Sequence, residues 1–147
     1  SASAQLDLAY GSCPSALSLR RTRGRLQTAI TGTATFDVGQ VDQATIKLSR
    51  ADGIGIPLSP ADPRYRPTVR MADVAAPSPP AACPCGTFGR DGFIDLVVDF
   101  DKQNAIEAFE LTSLPMNTIE LAISGYLLDG APFKYLDCID VSARRRR

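Results

Sequence analysis

The chain contains no histidine and no tryptophan. Without histidine it lacks the side chain that most often acts as a general base near neutral pH and the most common nitrogen ligand of zinc. With no tryptophan and only four tyrosines, it has no run of aromatic residues that would form a stacking platform for sugars. Nothing in the sequence resembles a nucleophilic serine motif or a glycine-rich phosphate loop. We therefore predict a non-catalytic protein.

No apolar run approaches the roughly 18 residues that a membrane-spanning helix needs, so no transmembrane segment is predicted. The 16 Lys and Arg residues balance the 16 Asp and Glu residues, and this net charge of zero argues against general nucleic-acid binding. The cations are unevenly distributed, with one cluster at Arg20, Arg21, Arg23 and Arg25 and another at Arg144, Arg145, Arg146 and Arg147. We interpret the closing arginines either as a solvated end or as a surface for an acidic protein partner or an anionic lipid headgroup.

Four cysteines are placed where disulfides would tie both ends of the chain to its middle. They are Cys13, Cys83, Cys85 and Cys138. Their spacing is a poor match to zinc motifs, and a ring closed by the two central cysteines is the least favoured pairing. One central cysteine would then pair with Cys13 and the other with Cys138, in an order that stays open. Each long loop would contribute about 4 kcal/mol to stability, and such disulfides predict a secreted, cell-surface or periplasmic location.

Short segments of alternating apolar and polar residues predict strands along the whole chain. The segments are 5–10, 16–19, 26–36, 44–48, 68–72, 93–100, 117–127 and 132–141. Gly32 predicts a bulge or bend inside the third segment, and Asp129-Gly130 predicts a tight hairpin turn. A short helix is predicted over 103–109 because Ile106 and Phe109 recur at helical spacing.

This pattern predicts an all-β protein, a single immunoglobulin-like β-sandwich with one short helix, spanning residues 1–147. Proline-rich stretches at 50–67 and 75–82 predict loops, because proline cannot donate to a central strand. We interpret residues 1–10 as an extended N-terminal strand that suits addition to the sheet of another subunit. Residues 142–147 are interpreted as a basic tail.

Acidic side chains gather just after the two central cysteines. Asp91 and Gly92 form a turn and Asp95 follows, and carboxylates with a glycine at a sharp turn are components of calcium-binding loops. The full EF-hand spacing is missing. The simpler interpretation is a hairpin turn, with Asp95 and Asp99 on the solvent face of a strand. On that interpretation the inward-pointing residues are Ile94, Leu96 and Val98.

Several blocks of sequence follow one another along about residues 11–141: GSCPSALSL, ITGTATFDVGQVDQATIKL, ADV, DGFIDLVVDFD, ISGYLLDGAPF and a closing DC. In this order they resemble a β-sandwich module common near the ends of secreted, multidomain bacterial proteins. In many such modules DV runs directly into a DGxxD loop similar to the calcium-binding turn of dockerins and EF-hands. The resemblance therefore implies a calcium site at Asp73, Asp91 and Asp95. Here an insert bearing Cys83 and Cys85 must fold out and back to bring them together, and the similar CxC insert of some members implies a disulfide.

From these features we predict a secreted structural or interaction protein, a subunit of an extracellular or cell-surface assembly. Its expected partners are other proteins or further copies of itself, and not nucleic acid. The alternative is a carbohydrate-binding module, with a glycan as its partner, or a calcium-stabilised accessory domain of a secreted enzyme. No cofactor is predicted apart from the candidate Ca²⁺.

Overall fold

The computed structural model describes residues 6–8, 16–21, 23–62, 64, 68–75, 91–113 and 117–142. These residues form eight strands: β1 (Leu6–Leu8), β2 (Ala16–Ser18), β3 (Arg25–Ile30), β4 (Val41–Arg50), β5 (Val69–Ala72), β6 (Asp95–Asp101), β7 (Asn117–Leu127) and β8 (Pro132–Ser142). One α-helix, α1, spans Lys102–Ala108. Two short 3-10 helices span Val38–Gln40 and Leu111–Ser113.

The strands form two four-stranded sheets, and the prediction of an all-β, sandwich-like fold is confirmed. The first sheet has the order β1-β3-β6-β5 and the second β2-β8-β7-β4. Neighbouring strands are antiparallel except for β2 and β8, which are parallel. Lettered A, A′ and B to G in chain order, the strands form ABED and A′GFC sheets. This order is compatible with the immunoglobulin-like arrangement, which stays a prediction.

Apolar side chains from both sheets meet in one core. Its fully buried members include Leu8, Ile30, Leu48, Phe100 and Ile139. The alternation expected for β7 is confirmed, because one face of that strand is buried at Ile119, Leu121 and Ile123. The two sheets therefore bury a shared apolar layer, which is the main favourable contribution to folding.

Strand β6 is buried on both faces. Its core-facing side chains are Leu96, Val98 and Phe100. On the other face, Asp95 is 0% exposed and Asp99 is 1% exposed, so the prediction that these two residues face solvent is wrong. The prediction that Ile94 points inward is also wrong, because β6 begins only at Asp95 and Ile94 is 52% exposed.

The bend expected at Gly32 lies where β3 has already ended. The strand stops at Ile30 and does not continue to residue 36, and an isolated bridge joins Thr33 to Phe36. A Cβ atom at Gly32 would collide with the Ile94 carbonyl oxygen. Glycine is needed here because the backbones of two segments approach each other closely.

The helix and the last hairpin lie close to their predicted positions. Helix α1 begins one residue earlier than the predicted 103–109, because the Asp101 carboxylate caps it by accepting the Asn104 amide at 2.9 Å. Strand β7 covers the predicted residues 117–127, and the turn after it is closed by a 2.7 Å hydrogen bond from the Leu127 amide to the Ala131 carbonyl.

Of the predicted N-terminal strand, residues 6–8 form β1, which pairs with β3 of the same chain. Strand β8 ends at Ser142, and residues 143–147 of the predicted basic tail lie outside the described residues. Within the described part of the chain, no helix is long and apolar enough to cross a membrane.

Candidate functional site

Two of the three candidate calcium ligands, Asp73 and Asp91, lie close together, although the insert separates them in sequence. The Asp73 carboxylate accepts the Asp91 amide at 3.0 Å and the Gly92 amide at 2.8 Å. The Asp91 carboxylate accepts the Phe93 amide at 3.0 Å, which fixes the turn into β6. The chain therefore returns after the insert to the place where it left β5.

Asp95 joins three segments through its buried carboxylate. Oδ1 accepts the Gly32 amide at 2.9 Å, and Oδ2 accepts the Val74 and Ala75 amides at 2.8 and 2.9 Å. Burial raises the pKa of Asp95, while the three amide donors favour its ionised form and lower the pKa. This carboxylate ties the start of β6 to the segment after β3 and the segment after β5.

Six backbone amides thus donate hydrogen bonds to the carboxylate oxygens of Asp73, Asp91 and Asp95. Calcium needs six to eight oxygen ligands from carboxylates and carbonyls. Among the described residues, no group of three or more His, Cys, Asp or Glu side chains is arranged to hold a metal ion. Calcium binding at these residues stays a prediction, and the described contacts give the three carboxylates a structural role.

A second buried carboxylate, Asp137, connects the two sheets. Its Oδ2 accepts the Leu8 amide of β1 at 2.9 Å, and its Oδ1 accepts the Cys138 amide at 2.8 Å. Burial raises the pKa of Asp137, and the two amide donors oppose that rise. Since β1 belongs to the first sheet and Asp137 to the second, this bond closes one edge of the sandwich.

Asp7 lies near enough to Asp137 and Asp95 for both charges to act on its carboxyl group. Its side chain is 9% exposed. Burial, followed by the negative charges of Asp137 and Asp95, raises the pKa of Asp7 to about 7. The sequence did not predict roles for Asp7 and Asp137. The available signal was that each is an aspartate within a predicted strand that is otherwise largely apolar.

Asp99 pairs with two arginines on the outer face of the first sheet. Its Oδ2 lies 3.4 Å from Arg25 and 3.8 Å from Arg70. The remaining oxygen, Oδ1, is buried and has no hydrogen-bond donor among the described residues. Arg25 therefore forms an ion pair within the first sheet, unlike the exposed arginines that precede it in sequence.

Of the four cysteines, the described part of the chain includes Cys138. This residue is 8% exposed and disulfide-bonded, and no described cysteine is a free thiol. Cys13, Cys83 and Cys85 lie outside the described residues, so the pairing order stays a prediction. Arg144, Arg145, Arg146 and Arg147 also lie outside them.

The connection between β2 and β3 carries exposed cations. Arg20, Arg21 and Arg23 are exposed, and Lys102 lies beside them because its amide donates to the Gly24 carbonyl at 3.1 Å. Burial, and after it the charge of Arg21, lowers the pKa of Lys102. Within the described residues, none of the three arginines forms an ion pair. We call Arg20, Arg21, Arg23 and Lys102 the basic corner.

The β7–β8 hairpin exposes apolar surface beside acidic side chains. Tyr126 is 52% exposed and Leu128 is 64% exposed. Asp42 lies opposite Tyr126 in the β4–β7 ladder, so both side chains occupy one face of the sheet. The Leu128 amide donates to the Gln40 carbonyl at 2.7 Å, which brings the Val38–Gln40 helix against the hairpin. We call Asp37, Asp42, Tyr126, Leu128 and Asp129 the hairpin patch.

The three carboxylates of the hairpin patch are held by local turns. In Asp37, Asp42 and Asp129, Oδ1 accepts the backbone amide two residues ahead, at 2.8, 3.3 and 2.9 Å. No donor among the described residues bonds to their Oδ2 atoms. Lys134 lies on the same sheet face, opposite Ser124. The patch therefore presents more negative than positive charge, with acceptor atoms available to a partner.

A groove of about 400 Å³ lies between α1 and the segment after β4. Its apolar side includes Ile56, Leu58 and Ala108, and its polar side includes Asn104, Glu107 and Glu110. Helix α1 and the segment after β4 approach closely, because the Ile56 amide donates to the Ala108 carbonyl at 3.1 Å. Glu110 has a φ of 55°, a left-handed conformation that is uncommon outside glycine. Sequence reasoning did not predict this groove.

The buried carboxylates of Asp95 and Asp137 accept backbone amides, and that of Asp99 pairs with arginines. The described part of the chain also includes the basic corner, the hairpin patch and the groove beside α1. Comparison of the chain with protein-family models, with curated proteins and with solved structures found no match.

We expect the substitution Asp95→Asn to lower the free energy of unfolding by at least about 2 kcal/mol. Asparagine keeps one oxygen acceptor and turns an NH₂ group toward buried amides, and each buried polar group left without a partner costs about 1–3 kcal/mol. Urea unfolding at neutral pH, with disulfides intact, measures the change. The matched control is Asp129→Asn, where one exposed turn acceptor suffices and the loss stays below about 0.5 kcal/mol. Equal effects of the two variants would contradict the structural role of Asp95.

The raised pKa of Asp7 predicts a pH-dependent contribution to stability. In the unfolded chain the pKa is 3.8 and in the folded chain it is about 7, so folding favours the protonated carboxyl. The stabilisation is complete below pH 3.8 and is lost as the pH rises through 7. Asp7→Asn imitates the protonated form and should remove this loss. We expect the stability of wild type relative to the variant to fall between about pH 4 and 7 in urea unfolding, whereas parallel pH profiles would show that Asp7 is not the group responsible.

Proposed function

We propose that this chain is a non-catalytic structural or interaction protein, a subunit of an extracellular or cell-surface assembly. The observation that carries the proposal is the hairpin patch, in which exposed Tyr126 and Leu128 lie beside carboxylates with unused oxygens. Scattered apolar residues are ordinary on protein surfaces, but an apolar pair with a charged rim has the composition of an interface. Tyrosine in particular is enriched at interfaces.

The proposed location is the cell surface, the periplasm or the extracellular medium. The disulfide of Cys138 supports it, because structural disulfides persist in oxidising compartments. The roles of Asp73, Asp91, Asp95 and Asp137 support a non-catalytic protein, since their carboxylates hold backbone amides. The proposed partners are proteins, including further copies of this chain, and not nucleic acid.

A second candidate function is glycan binding, and the observation that favours it is the groove beside α1. Asn104 and Glu107 provide amide and carboxylate groups that suit sugar hydroxyls, and Ile56 provides apolar surface in the same groove. If the groove binds glycans, signals on a glycan array should be lost in Asn104→Ala and kept in the exposed control Glu120→Ala. An array without hits for the wild type would remove this candidate.

For the proposed assembly role we expect light scattering on the disulfide-intact protein to give a mass above 15.7 kDa that rises with concentration. Replacing Leu128 with serine should lower that mass, because it removes apolar area from the patch. The matched control is Leu136→Ser, since Leu136 is 45% exposed but lies away from the hairpin turn. A wild-type mass that stays at 15.7 kDa at every concentration would overturn the proposed function.

A further inference from the structure

We propose that copies of this chain associate head to tail, with the basic corner of one copy docked on the hairpin patch of the next. This inference rests on the proposed assembly function and specifies its partner and its geometry. The basic corner consists of Arg20, Arg21, Arg23 and Lys102, and the hairpin patch of Asp37, Asp42, Tyr126, Leu128 and Asp129.

The basic corner concentrates positive charge that the described part of its own fold does not neutralise. Arg20, Arg21 and Arg23 are exposed and form no ion pair with any described residue. Lys102 is close enough to Arg21 for the charge of that arginine to lower the lysine pKa. The positive charges of the corner repel one another. A negatively charged surface that approaches the corner is therefore attracted to it.

The hairpin patch has the chemistry that arginine recognises. Its three carboxylates are held in place by turns through Oδ1, so pairing with a guanidinium through Oδ2 costs them little conformational freedom. Arginine pairs with carboxylates through a planar fork of N–H donors and also stacks on aromatic rings such as that of Tyr126. Leu128 adds apolar area that association would bury.

The two surfaces lie at opposite ends of the molecule. Strand β8 begins at Pro132, directly after the hairpin turn, and ends at Ser142, whose carbonyl accepts the Leu19 amide at 2.7 Å immediately before Arg20. Eleven residues of strand separate the surfaces by about 33 Å at 3.3 Å per residue. One chain therefore cannot join its own corner to its own patch, and a second copy can.

Charge complementarity identifies the second copy as the occupant. The whole chain is neutral, with 16 cationic and 16 anionic side chains, so copies are not held apart by net charge while their opposite ends attract. A contact between two different surfaces is heterologous, and it generates an open filament or a closed ring according to the rotation between copies.

Two variants that keep the fold test this arrangement. The corner variant carries Arg20→Gln, Arg21→Gln and Arg23→Gln, and the patch variant carries Asp37→Asn, Asp42→Asn and Asp129→Asn. Each asparagine retains the Oδ1 acceptor of its turn, loses the charge and carries an NH₂ group in place of the Oδ2 acceptor. The control is Arg64→Gln, which removes an arginine with a 69% exposed side chain outside both surfaces. Circular dichroism and melting temperature should match the wild type for all three.

By analytical ultracentrifugation we expect each triple variant alone to associate at least about 10-fold more weakly than the wild type, and the control to be unchanged. An equimolar mixture of the two triple variants should form a heterodimer of about twice 15.7 kDa and stop there, because only one intact corner and one intact patch remain. Added salt should weaken that heterodimer.

The alternatives give different patterns. A corner variant that associates like the wild type, together with a patch variant that does not, would show a symmetric contact between two patches and overturn the head-to-tail inference while sparing the assembly function. No heterodimer in the mixture would also overturn it. A wild type that remains monomeric would remove both the inference and the proposed function.

Discussion

The sandwich depends at one end on buried carboxylates that accept backbone amides. Asp95 accepts three amides from two separate segments, and Asp137 accepts one from β1 across the gap between the sheets. Burying an ionised carboxylate is costly, and charge-assisted hydrogen bonds from amides offset that cost. Short elements such as β1, with three residues, and β5, with four, keep their positions through these contacts as well as through pairing with their neighbours.

The carboxylates that bond to the backbone differ in role from the charges on the surface. A cluster of aspartates around a glycine turn suggests a cation site. At Asp73, Asp91 and Asp95, however, backbone amides donate hydrogen bonds to the carboxylate oxygens. Exposed charges lie elsewhere, including those of the basic corner and the hairpin patch. The interior carboxylates Asp95 and Asp137 therefore act as hydrogen-bond acceptors within this fold, while surface charge is available for recognition.

The sequence predicted elements that depend on local patterns and did not predict contacts between distant segments. Strand β7, the Asp129-Gly130 turn and helix α1 follow from periodicity and turn chemistry, and the structure confirms them to within one residue. The same periodicity places Asp95 on the face opposite Leu96, but alternation does not reveal whether that face is covered. The bond between Leu8 and Asp137 joins residues 129 positions apart, and no local pattern in one sequence predicts it.

The central claim is that buried carboxylates act as cross-links by holding backbone amides. Hydrogen exchange followed by NMR tests it at the amides of Leu8, Gly32, Val74 and Ala75, whose acceptors are the carboxylates of Asp137 and Asp95. The account predicts protection comparable to that of amides in the centre of β6, although Gly32, Val74 and Ala75 lie outside the strands. Exchange of these amides as fast as that of exposed loop amides without an acceptor among the described residues, such as that of Ser59, would contradict it.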